Sequence, residues 1–242
     1  MGETTAIEWA ESTINFFMGC TKVSEGCKNC YMYRDMVRYG KNPFKINRMN
    51  FDNIEKKLKS WSPRRIFVNS MSDTFHEGIS LELTNMMFDL MQKYPKHTYL
   101  ILTKRPLKMH EYFYGVTVPS CFWLGVSCEN QNYVHRIDRL KQIDCEIRFV
   151  SFEPLLSGID HNLTGISWAI VGGESDYQDP RPLNPHWVDS IKYLCERDKV
   201  KFFFKQWGGK SKCSCHGSFG CRLYQGRTWD EMPLVENKGL IF

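Results

Sequence analysis

Seven apolar runs of strand length, most of them separated by stretches with helical spacing, limit most strongly how this chain can fold. The runs cover residues 14–18, 65–70, 98–102, 122–127, 146–151, 166–171 and 200–204. They are continuous rather than alternating, as in strands buried on both faces of a parallel sheet. Helical spacing falls at 31–39, closed by Gly40, and at 80–94. In the first, Met32, Met36 and Tyr39 share a side. In the second, Ser80 caps and Leu83, Met86, Met87, Leu90 and Met91 share a face. Further helices are expected at 107–114, 131–143 and 185–197, the last with Pro185 in its first turn. Residues 41–62 are charged and less regular. Strand and helix in alternation predict an α/β fold. Seven such units fit an incomplete (β/α) barrel with mostly parallel strands better than a doubly wound sheet. The 242 residues are expected to form a single domain, 1–242, with a cysteine-containing insert at about 210–223.

A hydrophobic fraction of 42% supplies a large core, and the net charge of +5 permits an anionic partner without requiring one. Residues 1–11 are polar and carry three glutamates, unlike a secretory leader, and no apolar run approaches a membrane span. The expected compartment is the cytoplasm, with no membrane partner. There thiols stay reduced, so clustered cysteines indicate metal or redox work more than disulfides. Of ten cysteines, Cys121, Cys128, Cys145 and Cys195 sit in or beside apolar runs and read as small buried hydrophobes. His76, His97, His110, His135, His161 and His186 lack metal-ligand spacing and read as surface or loop residues.

The remaining cysteines form two groups. Cys20, Cys27 and Cys30 are spaced C-x7-C-x2-C on a glycine-bearing polar loop between an apolar run and a helix. Three thiolates on one short loop suit an iron–sulfur cluster with one open iron, or a zinc completed by a fourth ligand. Cys213, Cys215, His216 and Cys221 offer a candidate second metal set, zinc or iron–sulfur. The pair Cys213 and Cys215 is tighter than the usual C-x2-C zinc spacing, and a plain thiol-bearing insertion reads equally well.

Functional groups of parallel α/β folds collect at the carboxyl ends of strands. Here those ends carry Ser70 and Asp73, then Lys104 and Arg105, Glu129, Glu153, then Gly172, Gly173 and Glu174, and finally Lys205. Gly172 and Gly173 permit close backbone approach to a ligand, and Glu174 suits an ammonium group. Lys104 and Arg105 suit a carboxylate or phosphate. Glu129 and Glu153, and likewise Asp73, suit ribose hydroxyls or acid–base work. For single serines at these ends, helix capping explains the residue as well as function does.

The motifs Thr5-Ala6-Ile7-Glu8-Trp9-Ala10, Gly19-Cys20-Thr21-Lys22, Gly26-Cys27-Lys28-Asn29-Cys30-Tyr31, Ser70-Met71-Ser72-Asp73, Leu102-Thr103-Lys104-Arg105-Pro106, Ser151-Phe152-Glu153-Pro154, Gly172-Gly173-Glu174-Ser175 and Phe204-Lys205-Gln206-Trp207-Gly208 together resemble a family of phage-derived proteins of unassigned function. That family is in turn distantly similar to radical S-adenosylmethionine enzymes, which have an incomplete (β/α) barrel. The resemblance implies a [4Fe–4S] cluster on Cys20, Cys27 and Cys30. Its open iron would bind the amino and carboxylate groups of S-adenosylmethionine, and reduction would release a 5′-deoxyadenosyl radical that takes hydrogen from a substrate. The superfamily spacing is C-x3-C-x2-C, with an aromatic residue where this chain has Asn29. Its glycine–glycine–glutamate stretch follows the second strand, whereas here it follows the sixth.

The expected function is therefore an iron–sulfur protein, a radical S-adenosylmethionine enzyme acting on a nucleotide, nucleic acid or other anionic substrate. The alternatives are a non-catalytic iron–sulfur or zinc module that binds nucleic acid or a host protein, and an α/β protein with structural zinc.

Overall fold

The protein is described here by a computed structural model covering residues 4–214 and 217–234. Its centre is a sheet of eight strands. Seven run parallel in chain order: β1 (Ser12–Ile14), β4 (Arg65–Val68), β5 (Thr98–Thr103), β6 (Phe122–Ser127), β7 (Arg148–Phe152), β8 (Trp168–Gly172) and β9 (Lys201–Gln206). β10 (Trp229–Asp230) adds antiparallel to β9. β2 (Phe17–Met18) and β3 (Asn47–Arg48) make a separate hairpin-like pair. Six helices accompany them: α1 (Tyr31–Arg38), α2 (Phe51–Ser60), α3 (Leu81–Gln92), α4 (Pro106–Tyr112), α5 (His135–Lys141) and α6 (Pro185–Asp198).

Both faces of the strands are buried, as their unbroken apolar runs require. Every residue of β6 and β8 is buried. One face packs under the helices through Ile66, Leu124, Val150 and Phe202, among others. The other face holds a second apolar cluster of Phe67, Leu100, Trp123, Phe149, Trp168, Ile170 and Phe203, with Trp9 laid over it. The Trp9 ring lies 4.6 Å from Phe67 on β4 and 6.4 Å from Trp168 on β8. Three strands separate those two in the sheet, so one ring reaches both only because the sheet curls. The result is a half-barrel with Trp9 in its hollow. Across the open side, the Ser218 hydroxyl donates to Glu8 at 2.7 Å, tying the segment before β1 to the chain beyond β9.

The seven expected strands are all present. The first, expected at 14–18, divides into the end of β1 and the whole of β2, with a turn at Asn15 that Asn69 holds from β4's end. The Asn69 side-chain carbonyl accepts from the amides of Phe16 at 2.8 Å and Phe17 at 3.3 Å. The expected irregular stretch 41–62 contains α2. Its Phe51, Ile54 and Leu58 are buried at helical spacing, and Asn50 caps it by accepting from the Asn53 amide. Charged residues on the outer face hide that period in the sequence. The helix expected at 131–143 is a 3-10 turn, Gln131–Tyr133, followed by the shorter α5. Tyr39 and Met86, expected on buried faces, are exposed. His76 and His97, expected as surface or loop residues, lie in loops but are buried, each with a hydrogen-bond partner: Thr21 and the Leu58 carbonyl. Cys128, Cys145 and Cys195 are buried as expected, and Cys121 is half-buried. No helix among the described residues is long and apolar enough to cross a membrane.

Candidate cluster site at the strand carboxyl ends

The carboxyl ends of the parallel strands open into one cavity of about 410 Å³. Cys20, Cys27 and Cys30 all line it, with Trp9 and Phe67 as its apolar floor and Lys104, Arg105, Glu153 and Lys205 on its walls. None of the three thiols is in a disulfide; Cys27 is buried and the other two are half-buried.

Side chains from four strand ends fasten the cysteine loop over this cavity. From the end of β4, the Ser72 hydroxyl donates to the Gly19 carbonyl at 2.7 Å. The Ser70 carbonyl accepts from the Tyr31 hydroxyl at 2.5 Å. From the end of β5, Arg105 donates to the Thr21 hydroxyl at 2.8 Å and points a second nitrogen at Cys20 Sγ, 3.7 Å away. Asp73 holds that turn in place by accepting from Thr103 Oγ1 at 2.6 Å, Lys104 N at 3.0 Å and Arg105 Nη1 at 3.1 Å. From the end of β6, Glu129 accepts from the Ser24 hydroxyl at 2.6 Å, and Asn130 donates to Glu25 at 2.7 Å. From the end of β8, Glu174 accepts from Asn29 at 2.9 Å. Arg181, also bonded to Glu174, donates to the Glu25 carbonyl at 3.0 Å.

Glu129 is wholly buried and does not line the cavity. It sits beneath the loop between Arg136 at 2.9 Å and Lys104 at 3.3 Å. There it braces the loop, with both of its oxygens taken by the chain's own cations and Ser24. Gly26 explains the fit from above: a Cβ there would meet the Glu129 side chain at 2.5 Å. Gly172 and Gly173 pack closely against the chain itself, and Gly173 also lines the cavity. The space a side chain would take at Gly173 is filled by the Trp207 carbonyl, 2.0 Å from an added Cβ. At Gly172 it is filled by the Glu153 carboxylate at 2.7 Å. The close approach is of the chain to itself, where β8 meets β9. Glu174, expected to take an ammonium, is occupied by Arg181 and Asn29.

Ser70, Asp73, Lys104, Glu153, Gly173 and Glu174 all line the cavity. Glu153 accepts from Ser151 at 3.0 Å and pairs with Lys205 at 3.1 Å. Of the tail set, Cys213 and Cys221 do not line the cavity, and Cys215 and His216 lie outside the described residues. The sequence reading missed Ser24, Asn29, Arg136 and Arg181, whose partners are about 100 or more residues away except for Arg136 and Arg181. No local pattern signals such bonds.

Burial pushes the Cys20 thiol up to about 11, with Asp73 adding and Arg105 opposing, and burial also raises Cys30. Lys104 is pulled down by burial but held above its ordinary value by Glu129, Cys27 and Cys30. Thiols of this kind bind metal only by releasing protons. Among the described residues, no three His, Cys, Asp or Glu side chains gather as they would around one metal ion.

A family described as a protein of unknown function, DUF5131, matches residues 4–233. No curated protein and no solved structure matches the chain.

Proposed function

The chain belongs to the DUF5131 family, and we propose that it is an iron–sulfur protein that holds a [4Fe–4S] cluster on Cys20, Cys27 and Cys30. We propose further that it is a radical S-adenosylmethionine enzyme acting on a nucleotide, nucleic acid or other anionic substrate. The observation that carries the reading is the opening of all three loop thiols into one cavity at the strand carboxyl ends, with Lys104 and Arg105 beside them. The donor set fits the group. Thiolates of a cubane attach to three separate irons and need not converge on one point, whereas a single zinc requires that they do. The kinship with phage-derived proteins, which rests on the motif resemblance, and a reducing, cytoplasmic setting, which rests on the polar opening residues and the absence of a membrane-length apolar run in the sequence, belong to the same proposal.

Cys20, Cys27 and Cys30 would hold the cluster, which would supply the single electron that reductive cleavage of S-adenosylmethionine requires. The chain's own residues do the rest. Lys104 and Arg105 offset the negative charge that three thiolates bring into a half-buried site. Trp9 and Phe67 keep water from the floor. Glu153 and Lys205, paired on the cavity wall, can re-pair with the ammonium, hydroxyl or phosphate groups of bound molecules. Asp73 fixes the turn that carries both cations.

Anaerobic purification and metal analysis test the reading. A brown protein with about four irons and four sulfides per chain is expected. Release of 5′-deoxyadenosine on addition of dithionite and S-adenosylmethionine is the second expected result. A colourless protein with stoichiometric zinc overturns the cluster. Iron without 5′-deoxyadenosine overturns the enzyme and leaves a non-catalytic module.

A further inference from the structure

The net charge of this chain is concentrated in one place. Residues 19–48 carry seven Lys and Arg against two Asp and Glu, a balance of +5 that equals the net charge of the whole chain. The remaining residues carry 25 of each sign and cancel. One of the two acids, Asp35, is paired with Arg34 at 3.6 Å, and the other, Glu25, is engaged by Asn130. No carboxylate pairs with Arg38, Lys41 or Lys45 among the described residues.

The same segment shows its rings to solvent. Tyr39 is 68% exposed and Phe44 59% exposed, next to exposed Val37. Tyr33 packs against Phe44 at a tilt with ring centres 5.3 Å apart, and Lys22 sits 4.9 Å over the Tyr33 ring. Rings and cations are therefore interleaved rather than segregated.

The segment also folds back on the cysteine loop. The Pro43 carbonyl accepts from the Cys20 amide at 2.9 Å, and the Tyr33 hydroxyl donates to the Cys20 carbonyl at 3.0 Å. Phe44 and Lys45 thus begin beside Cys20, at the cavity mouth. At about 1.5 Å per helical residue, Tyr39 lies roughly 14 Å along α1 from Cys30. The patch is one track that starts at the mouth and runs outward along α1 and the loop after it.

We propose that this track binds single-stranded nucleic acid, with Arg38, Lys41 and Lys45 on phosphates and Tyr39 and Phe44 stacking on bases. Charge alone would suit any polyanion. Exposed rings between the cations suit unpaired bases, whose faces are available for stacking whatever their sequence. The inference rests on the cavity as the working site, and it narrows the substrate from anions in general to a strand delivered to that mouth.

The test titrates the whole protein with a fluorescein-labelled oligothymidylate of about 15 nucleotides, an oligouridylate of equal length and a hairpin duplex, read by anisotropy. Tighter binding of single strands than of duplex is expected. For three phosphate contacts, the slope of log affinity on log salt should be about −2. The triple variant Arg38→Glu, Lys41→Glu, Lys45→Glu should weaken binding more than tenfold and flatten that slope. Tyr39→Ala and Phe44→Ala should each weaken it about tenfold without flattening it. Thymidylate and uridylate arms distinguish DNA from RNA as the preferred strand. All five side chains are exposed, so circular dichroism should show every variant folded. No binding at about 50 mM salt overturns the proposal. So does unchanged binding by the variants, or duplex bound as well as single strands. Iron and sulfide measured on the same samples keep the two readings apart. Iron-loaded protein that ignores oligonucleotides overturns only the track, and iron-free protein that binds them overturns only the cluster.

Discussion

Two short stretches of this chain carry three cysteines each, and the fold treats them differently. The loop 20–30 is held by side chains reaching from the ends of β4, β5, β6 and β8, several of them charged. In the described part of the tail stretch, 213–214 and 217–221, backbone bonds to its neighbours join the Ser218 hydroxyl bond to Glu8. Trp207 N donates to the Cys221 carbonyl, Gly208 N to the Phe219 carbonyl, and Cys213 N to the Ser218 carbonyl. The first faces the cavity, and the second lies beside the end of β9. Thiol density alone therefore does not mark a site. What sets the first loop apart is a surrounding shell that fixes where its sulfurs point, which is what metal ligands need. The largest expected difference follows from this. Cys27→Ala should lose visible absorbance and most iron after anaerobic reconstitution while staying soluble. Cys213→Ala and Cys221→Ala should keep iron close to the parent level. Full iron in the first variant, or loss in the other two, would reverse the comparison.

The brace beneath the loop gives the next effect. Glu129 is fully buried between Arg136 and Lys104. Burial alone would push its carboxyl up, but the two cations and Ser24 outweigh that and hold it below its ordinary value. Glu129→Ala strands both cations in a buried site, at a cost of about 3–5 kcal/mol in urea unfolding. A loss under about 1 kcal/mol would mean that the loop does not depend on this anchor. No buried ion group of this kind supports the described part of the tail stretch.

Glycines sharpen the contrast at smaller cost. At Gly26 an added Cβ collides with Glu129, whereas at Gly217, with φ +64°, it meets nothing within 4 Å. Gly26→Ala should lose about 1–3 kcal/mol by overpacking and reduce iron loading with it. Gly217→Ala should lose about 1 kcal/mol through backbone conformation alone and leave iron unchanged. Equal iron loss in both variants would show that the tail shapes the loop after all.

The sequence displays some of this architecture and hides the rest, for reasons that differ by residue. The seven strands are legible because burial on both faces demands unbroken apolar runs such as 122–127. The helix α2 is not, because its three buried residues are outnumbered by charged ones on the outer face. The polar strand ends mark where the cavity lies, yet not which of them face it. Glu129 and Glu153 look alike as residues after a strand. One ends beneath the loop and the other on the wall, and only the sheet's curl and the position of the loop decide between them. Long-range partners such as Ser24 with Glu129, or Asn29 with Glu174, carry no local signal.

The smallest effect compares a pair under the loop with one in the tail. Burial pushes the Glu174 carboxyl up, but hydrogen bonds from Arg181 and Asn29 outweigh it and leave it below its ordinary value. A carboxyl depressed in the folded state stabilises fully above its unfolded value of about 4.3, and that contribution fades as pH falls through the folded one. Glu174→Gln should therefore lie below the parent in urea midpoint at neutral pH, with a pH-dependent part of about 1 kcal/mol or less because Arg181 is partly in solvent. The gap should narrow as pH drops from about 5 to about 2. In the tail, Arg222 pairs with Asp230, whose side chain is half in solvent. Asp230→Asn should leave the midpoint nearly unchanged across the same range. A pH-independent gap at Glu174 would mean that its hydrogen bonds matter and its charge does not. A comparable slope at Asp230 would mean that the two regions are fastened alike.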